Sequence, residues 1–65
     1  MNNITLNQLS VFMWYAQQLL VKDEKDNVLF TGENWKLQSQ NYKEIRGRWI
    51  RSFGSVEDVM IVKII

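Results

Sequence analysis

The sequence predicts an α+β fold in which an N-terminal helix packs on a four-stranded, mainly antiparallel sheet. Three observations predict this fold. Apolar residues near the N-terminus recur at the three- and four-residue spacing of an amphipathic helix. Two β-prone runs within residues 17–33 flank a charged turn, as in a hairpin. A second pair of β-prone runs follows, and the last of these runs, VMIVKII, closes the chain. Residues 1–65 are taken as a single small domain, because a chain of this length is near the lower limit for independent folding.

The first element is a predicted helix from residue 5 to about residue 16. Thr5 and Gln8 have the spacing of a capping box, in which each side chain accepts a hydrogen bond from the other residue's backbone. The apolar stripe then consists of Leu6, Leu9, Met13 and Ala16, with Phe12 beside it. Three apolar residues fall off that stripe: Val11, Trp14 and Tyr15. The helix is therefore either covered from two directions or ends near Met13, in which case Trp14 begins the strand.

Residues 17–33 form the predicted hairpin. Alternation divides the apolar residues of each strand between two faces: Leu19 and Val21 against Leu20, and Val28 and Phe30 against Leu29. Both faces are thus partly apolar. The turn, residues 23–27, has short polar side chains that tolerate left-handed backbone. One face of this hairpin can take the helix, and the other requires cover that so short a chain barely supplies, which predicts self-association.

Residues 33–46 have two interpretations. The first is a short middle helix over residues 39–46, closed by Gly47 as its C-terminal cap. The second is a loop that folds Trp35 and Leu37 back onto the sheet.

The last two strands complete the predicted sheet. Residues 48–53 form the third strand, and the turn that follows consists of Gly54-Ser55 with Glu57-Asp58. Alternation in the final strand places Met60, Val62 and Ile64 on one face and Val59, Ile61 and Ile65 with Lys63 on the other. An apolar strand of this kind would aggregate if it were exposed. We therefore expect it to be central in the sheet or paired with another subunit.

Composition argues against several classes of function. The formal net charge of +1 predicts no strong general attraction to nucleic acid or to a membrane. The chain has no Cys and no His, so a disulfide framework, a zinc site and the commonest catalytic groups are missing. We expect a protein that is not an enzyme and has no cofactor and no metal. No apolar run approaches the ~20 residues of a membrane span, and the first twenty residues lack the charged start and cleavage site of a signal peptide. A cytoplasmic location is therefore expected.

The candidate ligand or partner site is the basic and aromatic segment 43–53, together with Trp35. Its arginines offer forked donors to phosphate or carboxylate, and its aromatic rings could stack on a base. The candidate residues are Lys43, Arg46, Arg48, Trp49, Arg51, Phe53 and Trp35. Alternation places Trp49, Arg51 and Phe53 on one strand face and Arg48 and Ile50 on the other. The alternative is structural: the aromatic residues fill the core or a dimer contact, and the arginines pair with Glu44, Glu57 or Asp58.

Four pieces of the chain carry a family resemblance: Val21-Lys22-Asp23, Val28-Leu29-Phe30-Thr31-Gly32, Ile50-Arg51-Ser52-Phe53 and Met60 to Ile65. With the helix before them, they resemble small α+β proteins encoded by phages and prophages of Gram-positive bacteria. The resemblance implies an accessory or counter-defence protein of the bacterial host cytoplasm, and it carries over no functional residues.

Three functions are compatible with these features. The first is stoichiometric inhibition of a host protein by a small homo-oligomer. The second is a sponge that sequesters a small nucleotide immune signal at a subunit junction. The third is a weak nucleic-acid-binding module, whose affinity at physiological salt should be low because the net charge is small. Nucleic acid is therefore not the expected partner.

Overall fold

A computed structural model describes residues 3–65 and confirms the α+β class. Helix α1 spans Leu6–Phe12, and strands β1 and β2 span Gln18–Lys22 and Val28–Glu33. Two short 3₁₀ helices, Asn34–Gln38 and Gln40–Tyr42, lead into helix α2, Lys43–Arg46. Strands β3 and β4 span Ile50–Val56 and Val59–Ile64. The four strands form one sheet in the order β2-β1-β4-β3.

The N-terminus of α1 is closed by the predicted capping box. The Gln8 N–H donates to Thr5 Oγ1 at 3.2 Å, and the Thr5 N–H donates to Gln8 Oε1 at 2.7 Å. The helix stops at Phe12, and Met13 is already extended, with φ −87° and ψ 150°. The prediction of a helix to residue 16 is therefore wrong in length, and the earlier ending near Met13 is correct. Trp14 does not begin the strand, because β1 starts only at Gln18.

The sheet is mostly antiparallel, as predicted, but its central pairing is parallel. β1 pairs antiparallel with β2, and β3 pairs antiparallel with β4. β1 and β4 run parallel, with Leu19 opposite Met60 and Val21 opposite Val62. β4 is thus central, which confirms the expectation for this apolar strand. The parallel pair was not predicted, because strand alternation does not specify which strands become neighbours.

The core lies between one face of the sheet and the helical segments. Its fully or almost fully buried apolar residues are Leu6, Leu19, Val21, Phe30, Leu37, Val62 and Ile64. A register shift in the first hairpin places Val28 opposite Lys22, on the face away from the core, where it is 57% exposed. The prediction that Val28 shares the face of Phe30 is therefore wrong.

Leu37 is folded back into the core while Trp35 stays 52% exposed. The middle helix is also present, and its C-cap Gly47 keeps a right-handed φ of −86°.

Strand β3 is longer than predicted and bulged near its start. Gly54 and Ser55 are inside the strand, opposite Ile61 and Met60, and the turn is only Glu57-Asp58. A register shift between Ile50 and Ser52 leaves Arg51 without a register partner on β4. Because of this bulge, Ile50 and Phe53 lie on the same face, opposite Ile64 and Val62. The predicted alternation across Trp49, Arg51 and Phe53 is therefore wrong.

Candidate functional site

The arginines of the predicted segment bind other parts of the same chain. The Arg46 guanidinium donates to the carbonyl oxygens of Leu37 and Ser39 at 2.8 and 2.7 Å, which ties α2 to the preceding 3₁₀ segment. Arg48 Nε donates to the carbonyl oxygen of Ile65 at 2.6 Å, and its other end lies 4.0 Å from Glu44. The predicted pairing with Glu44 is therefore present for Arg48.

Arg51 contacts the acidic turn of the first hairpin. Its guanidinium lies 3.4 Å from the Glu24 carboxylate, and Lys63 Nζ lies 2.9 Å from Asp26 Oδ1. Because β1 and β4 are parallel, this turn and the start of β3 meet at the same end of the sheet. The acidic turn and the basic residues that the sequence separates thus pair with each other. Arg51 is not paired with Glu57 or Asp58 within its own chain.

The same turn is closed by Asp23. Its Oδ1 accepts hydrogen bonds from the backbone N–H groups of Lys25 and Asn27, at 2.8 and 2.9 Å. The Asn27 side-chain amide donates to Oδ2, and these bonds to the ionised form lower the pKa of Asp23 below its ordinary value. The turn is a hydrogen-bonded hairpin end, in which Asp26 adopts a positive φ of 66°.

The aromatic candidates occupy two different places. Trp49 is half exposed and forms a bridge with Thr5 beside the start of α1, and Phe53 is 57% exposed on β3. Trp35 lies in the first 3₁₀ helix, where its backbone N–H donates to the backbone carbonyl oxygen of Tyr15 at 2.9 Å. The structure therefore divides the predicted set, with Lys43 exposed on α2 and Trp35 next to Tyr15.

Trp35 belongs to a surface that the sequence did not predict as a site. We call it the α1 aromatic surface; it consists of the exposed residues Val11, Phe12, Trp14, Tyr15 and Trp35. They come from the last turn of α1, the connection to β1 and the first 3₁₀ helix. Trp14 and Tyr15 meet edge to face, with ring centroids 5.6 Å apart. Phe12 is the most exposed, at 88%.

A groove of about 300 Å³ opens within this surface. Its lining residues are Ser10, Val11, Met13, Tyr15, Asn34, Trp35 and Gln38. Asn34 is only 3% exposed, and its amide donates to the carbonyl oxygens of Ser10, Met13 and Trp14 at 3.0, 3.3 and 3.2 Å. Its Oδ1 accepts from the Ser10 hydroxyl at 2.6 Å. Asn34 therefore provides hydrogen-bond donors for the backbone carbonyls at the end of α1 and holds its neighbour Trp35 beside that end.

The sequence did contain a signal for this surface. Val11, Trp14 and Tyr15 fall off the apolar stripe of the helix, which indicates that they need cover from elsewhere. What the sequence did not show is that α1 ends at Phe12. It also did not show that Asn34, 24 residues from Ser10, would bring Trp35 to the same place.

The described residues form neither a metal-binding cluster nor a membrane-spanning helix. Within residues 3–65, no group of three or more His, Cys, Asp or Glu side chains is gathered as a metal would require. Over the same part of the chain, no helix has the length and apolar character needed to cross a membrane.

Comparison with known proteins adds no family to this description. No family model, curated protein or solved structure matches this chain. The resemblance to phage and prophage proteins therefore remains a prediction from sequence motifs.

Proposed function

We propose that this chain is a binding protein, an accessory or counter-defence protein of the phage type. It inhibits a host protein stoichiometrically, as a small homo-oligomer in the cytoplasm of the bacterial host. The observation that carries this proposal is the α1 aromatic surface. Large apolar residues grouped on a surface are typical of sites that bind other proteins, where aromatic residues contribute much of the binding energy.

The energy available from this surface suits a protein partner. Complete burial of a large apolar side chain is worth about 1.5–3 kcal/mol, and Phe12, Trp14, Tyr15 and Trp35 keep between 52% and 88% of their surface exposed. Covering one of them therefore contributes about 1–2 kcal/mol. Two of them, Tyr15 and Trp35, line the groove, and the other two extend the apolar surface beside it.

The chemistry of the surface favours an uncharged, apolar segment of a partner protein. The five residues that define it carry no charge, and the adjoining Lys36 has its ammonium 5.5 Å from the centre of the Trp35 ring. Lys36 also lies 3.9 Å from Glu33. The polar groups of Ser10 and Asn34 are already hydrogen-bonded to each other. An apolar side chain entering the groove would thus displace water without breaking these bonds.

The two alternative functions draw less support from the structure. A nucleotide sponge or a nucleic-acid-binding module would use guanidinium groups that are free to bind phosphate. Those of Arg46 and Arg48 donate to backbone carbonyls, and that of Arg51 pairs with Glu24. Binding phosphate would therefore require these contacts to be given up.

The test is a pull-down from a bacterial host lysate with three forms of the full chain. These are the wild type, a Tyr15→Ser/Trp35→Ser variant and a Val28→Ser control. Val28 is 57% exposed on β2, outside the α1 aromatic surface, so the control removes a comparable exposed apolar group. Circular dichroism should first show that all three are folded.

We expect one host protein to be captured by the wild type and by the control, and lost with the Tyr15/Trp35 variant. Capture of the same proteins by all three forms would contradict the role of this surface. Small molecules in the eluate should be identified by mass spectrometry. A nucleotide recovered without any protein would favour the sponge instead.

A further inference from the structure

We infer that the free edge of β3 is the contact between two copies of this chain, with the two β3 strands antiparallel in one continuous sheet. This inference rests on the oligomeric part of the proposed function and specifies its contact. β3 is the last strand in the order β2-β1-β4-β3. Residues 4–6 bridge its outer side only as far as Ile50, whose N–H donates to the Ile4 carbonyl at 2.8 Å; from Arg51 to Val56 that side has no strand neighbour among residues 3–65. A strand edge of this kind can pair with another chain.

From Ser52 to Val56, beyond the bulge at Arg51, the β3 edge lacks the features that usually prevent such pairing. Six of its seven residues are exposed, including Phe53 at 57% and Val56 at 58%. The stretch from Ser52 to Val56 contains no charged residue and no proline. Lysine, proline and inward-pointing charges are the common protections of an edge strand. The charged residues stand only at the two ends of the strand, Arg51 at one and Glu57 at the other.

The hairpin turn determines which backbone groups face the free edge. Glu57 and Asp58 have φ of 49° and 68°, as in the two-residue type I′ turn. In such a hairpin the flanking pair, here Val56 and Val59, exchanges both backbone hydrogen bonds. Because direction alternates along a strand, the N–H and C=O groups of Phe53 and Ser55 then point away from β4, toward the free edge.

Antiparallel pairing must place these outward groups opposite each other. Centring the two-fold axis at Gly54 sets Phe53 against Ser55 of the partner subunit, and the reverse pair follows by symmetry. In this register Arg51, whose 60% exposed side chain lies beside Glu24, comes level with Glu57 of the partner subunit. Turning its guanidinium from Glu24 to that carboxylate gives each dimer two opposite-charge contacts. The two Phe53 side chains become diagonal neighbours on one face, within contact range for aromatic rings.

Neighbouring registers lack this charge match. Setting Phe53 against Phe53 of the partner subunit places Arg51 against a serine. Setting Ser55 against Ser55 of the partner subunit places Glu57 against Phe53. Only the register centred at Gly54 pairs charges of opposite sign at both ends of the strand.

The other unpaired regions of the sheet suit a second copy less well. The opposite edge, β2, has an acidic residue near each end, Asp26 and Glu33, so antiparallel self-pairing would bring acid next to acid. On the face away from the helices, Lys22 and Lys63 are register neighbours. Packing two such faces together would desolvate these ammonium groups.

The first test is charge reversal, read by sedimentation over micromolar to submillimolar concentrations. Arg51→Glu and Glu57→Arg should each weaken the dimer about tenfold or more, because each creates two like-charge contacts. The double variant should restore the wild-type dissociation constant. Glu24→Gln removes only the intramolecular partner of Arg51 and should leave the dimer intact. Lys43→Glu, on α2, is the matched reversal outside the contact.

The second test is hydrogen exchange of the wild type, which needs no variant. The Phe53 and Ser55 amides should become protected as concentration rises, and the Gly54 and Val56 amides should be protected at every concentration. Failure of the double variant to restore the dimer would overturn the register. Protection of the Phe53 and Ser55 amides that does not change with protein concentration would overturn it as well.

The outcomes also separate this inference from the proposed function. A dimer whose dissociation constant is unchanged by every charge reversal overturns the β3 contact alone. A monomer throughout overturns the contact and the oligomeric part of the function. Host-protein capture through the α1 aromatic surface is decided by its own variants, none of which lies on β3.

Discussion

Replacement of Asn34 by alanine should strongly destabilise this protein. The Asn34 side chain is almost completely buried and makes four hydrogen bonds with residues 10–14. In three of them the Asn34 amide donates to the backbone carbonyls of Ser10, Met13 and Trp14, at and just after the end of α1, where carbonyls lack a helical i+4 partner. The amide thus joins the first 3₁₀ helix to α1.

The loss of unfolding free energy depends on which hydrogen-bond partners of Asn34 water can reach after the substitution. Ser10 is buried, so its hydroxyl would lose its acceptor at a cost of about 1–3 kcal/mol. Its carbonyl keeps the Met13 N–H at 3.2 Å and would lose only one of two hydrogen bonds, at a cost of about 1 kcal/mol. Met13 is partly buried and Trp14 exposed, so their carbonyls can bind water and should cost little. The expected loss of unfolding free energy is about 2–4 kcal/mol. For a domain of this size that corresponds to a melting temperature lower by roughly 15–30 °C.

Thermal and urea unfolding followed by circular dichroism would measure the loss. Gln38→Ala is the matched control. The Gln38 side chain is exposed and its two hydrogen bonds are long, at 3.4 Å each, so its removal should cost less than about 0.5 kcal/mol. Asn34→Asp keeps the shape but removes the amide hydrogens, and it should be at least as destabilising as alanine at neutral pH. If Asn34→Ala is as mild as Gln38→Ala, the reasoning is refuted.

Two other outcomes are expected. Lys63, whose Nζ is 2.9 Å from Asp26, donates a hydrogen bond that holds the pKa of Asp26 below its ordinary 3.8. The carboxylate therefore stabilises the fold above pH 3.8, and this contribution is lost as the pH falls through the lowered pKa. Lys63→Met should return the pKa toward 3.8 in an NMR titration, and an unchanged value would show that Lys63 is not its cause. In a thermal-shift screen, cyclic and ADP-ribose-type nucleotides should leave the melting temperature unchanged. A shift that disappears in Arg51→Ala would instead establish the nucleotide sponge.

Features that depend on near neighbours in the chain were predictable from the sequence. The capping box needs only Thr5 and Gln8, three residues apart, and it is present. The turn at 23–27 and the alternation of β4 are also local, and both agree with the structure. Even the two interpretations of residues 33–46 were each correct in part, because Leu37 folds into the core while residues 40–46 are helical.

Features that depend on distant residues were decided only by the tertiary structure. The end of α1 depends on an asparagine 24 residues from Ser10, and the partners of the arginines depend on which sheet ends meet. The bulge at Arg51 changes the face of the residue before it, so alternation could not assemble the predicted site. The sequence by itself determined the class of fold, the two hairpins and the excess of apolar surface. Only the tertiary structure decided where that surface remains open, at the end of α1 and along β3, because exposure depends on what the rest of the chain covers.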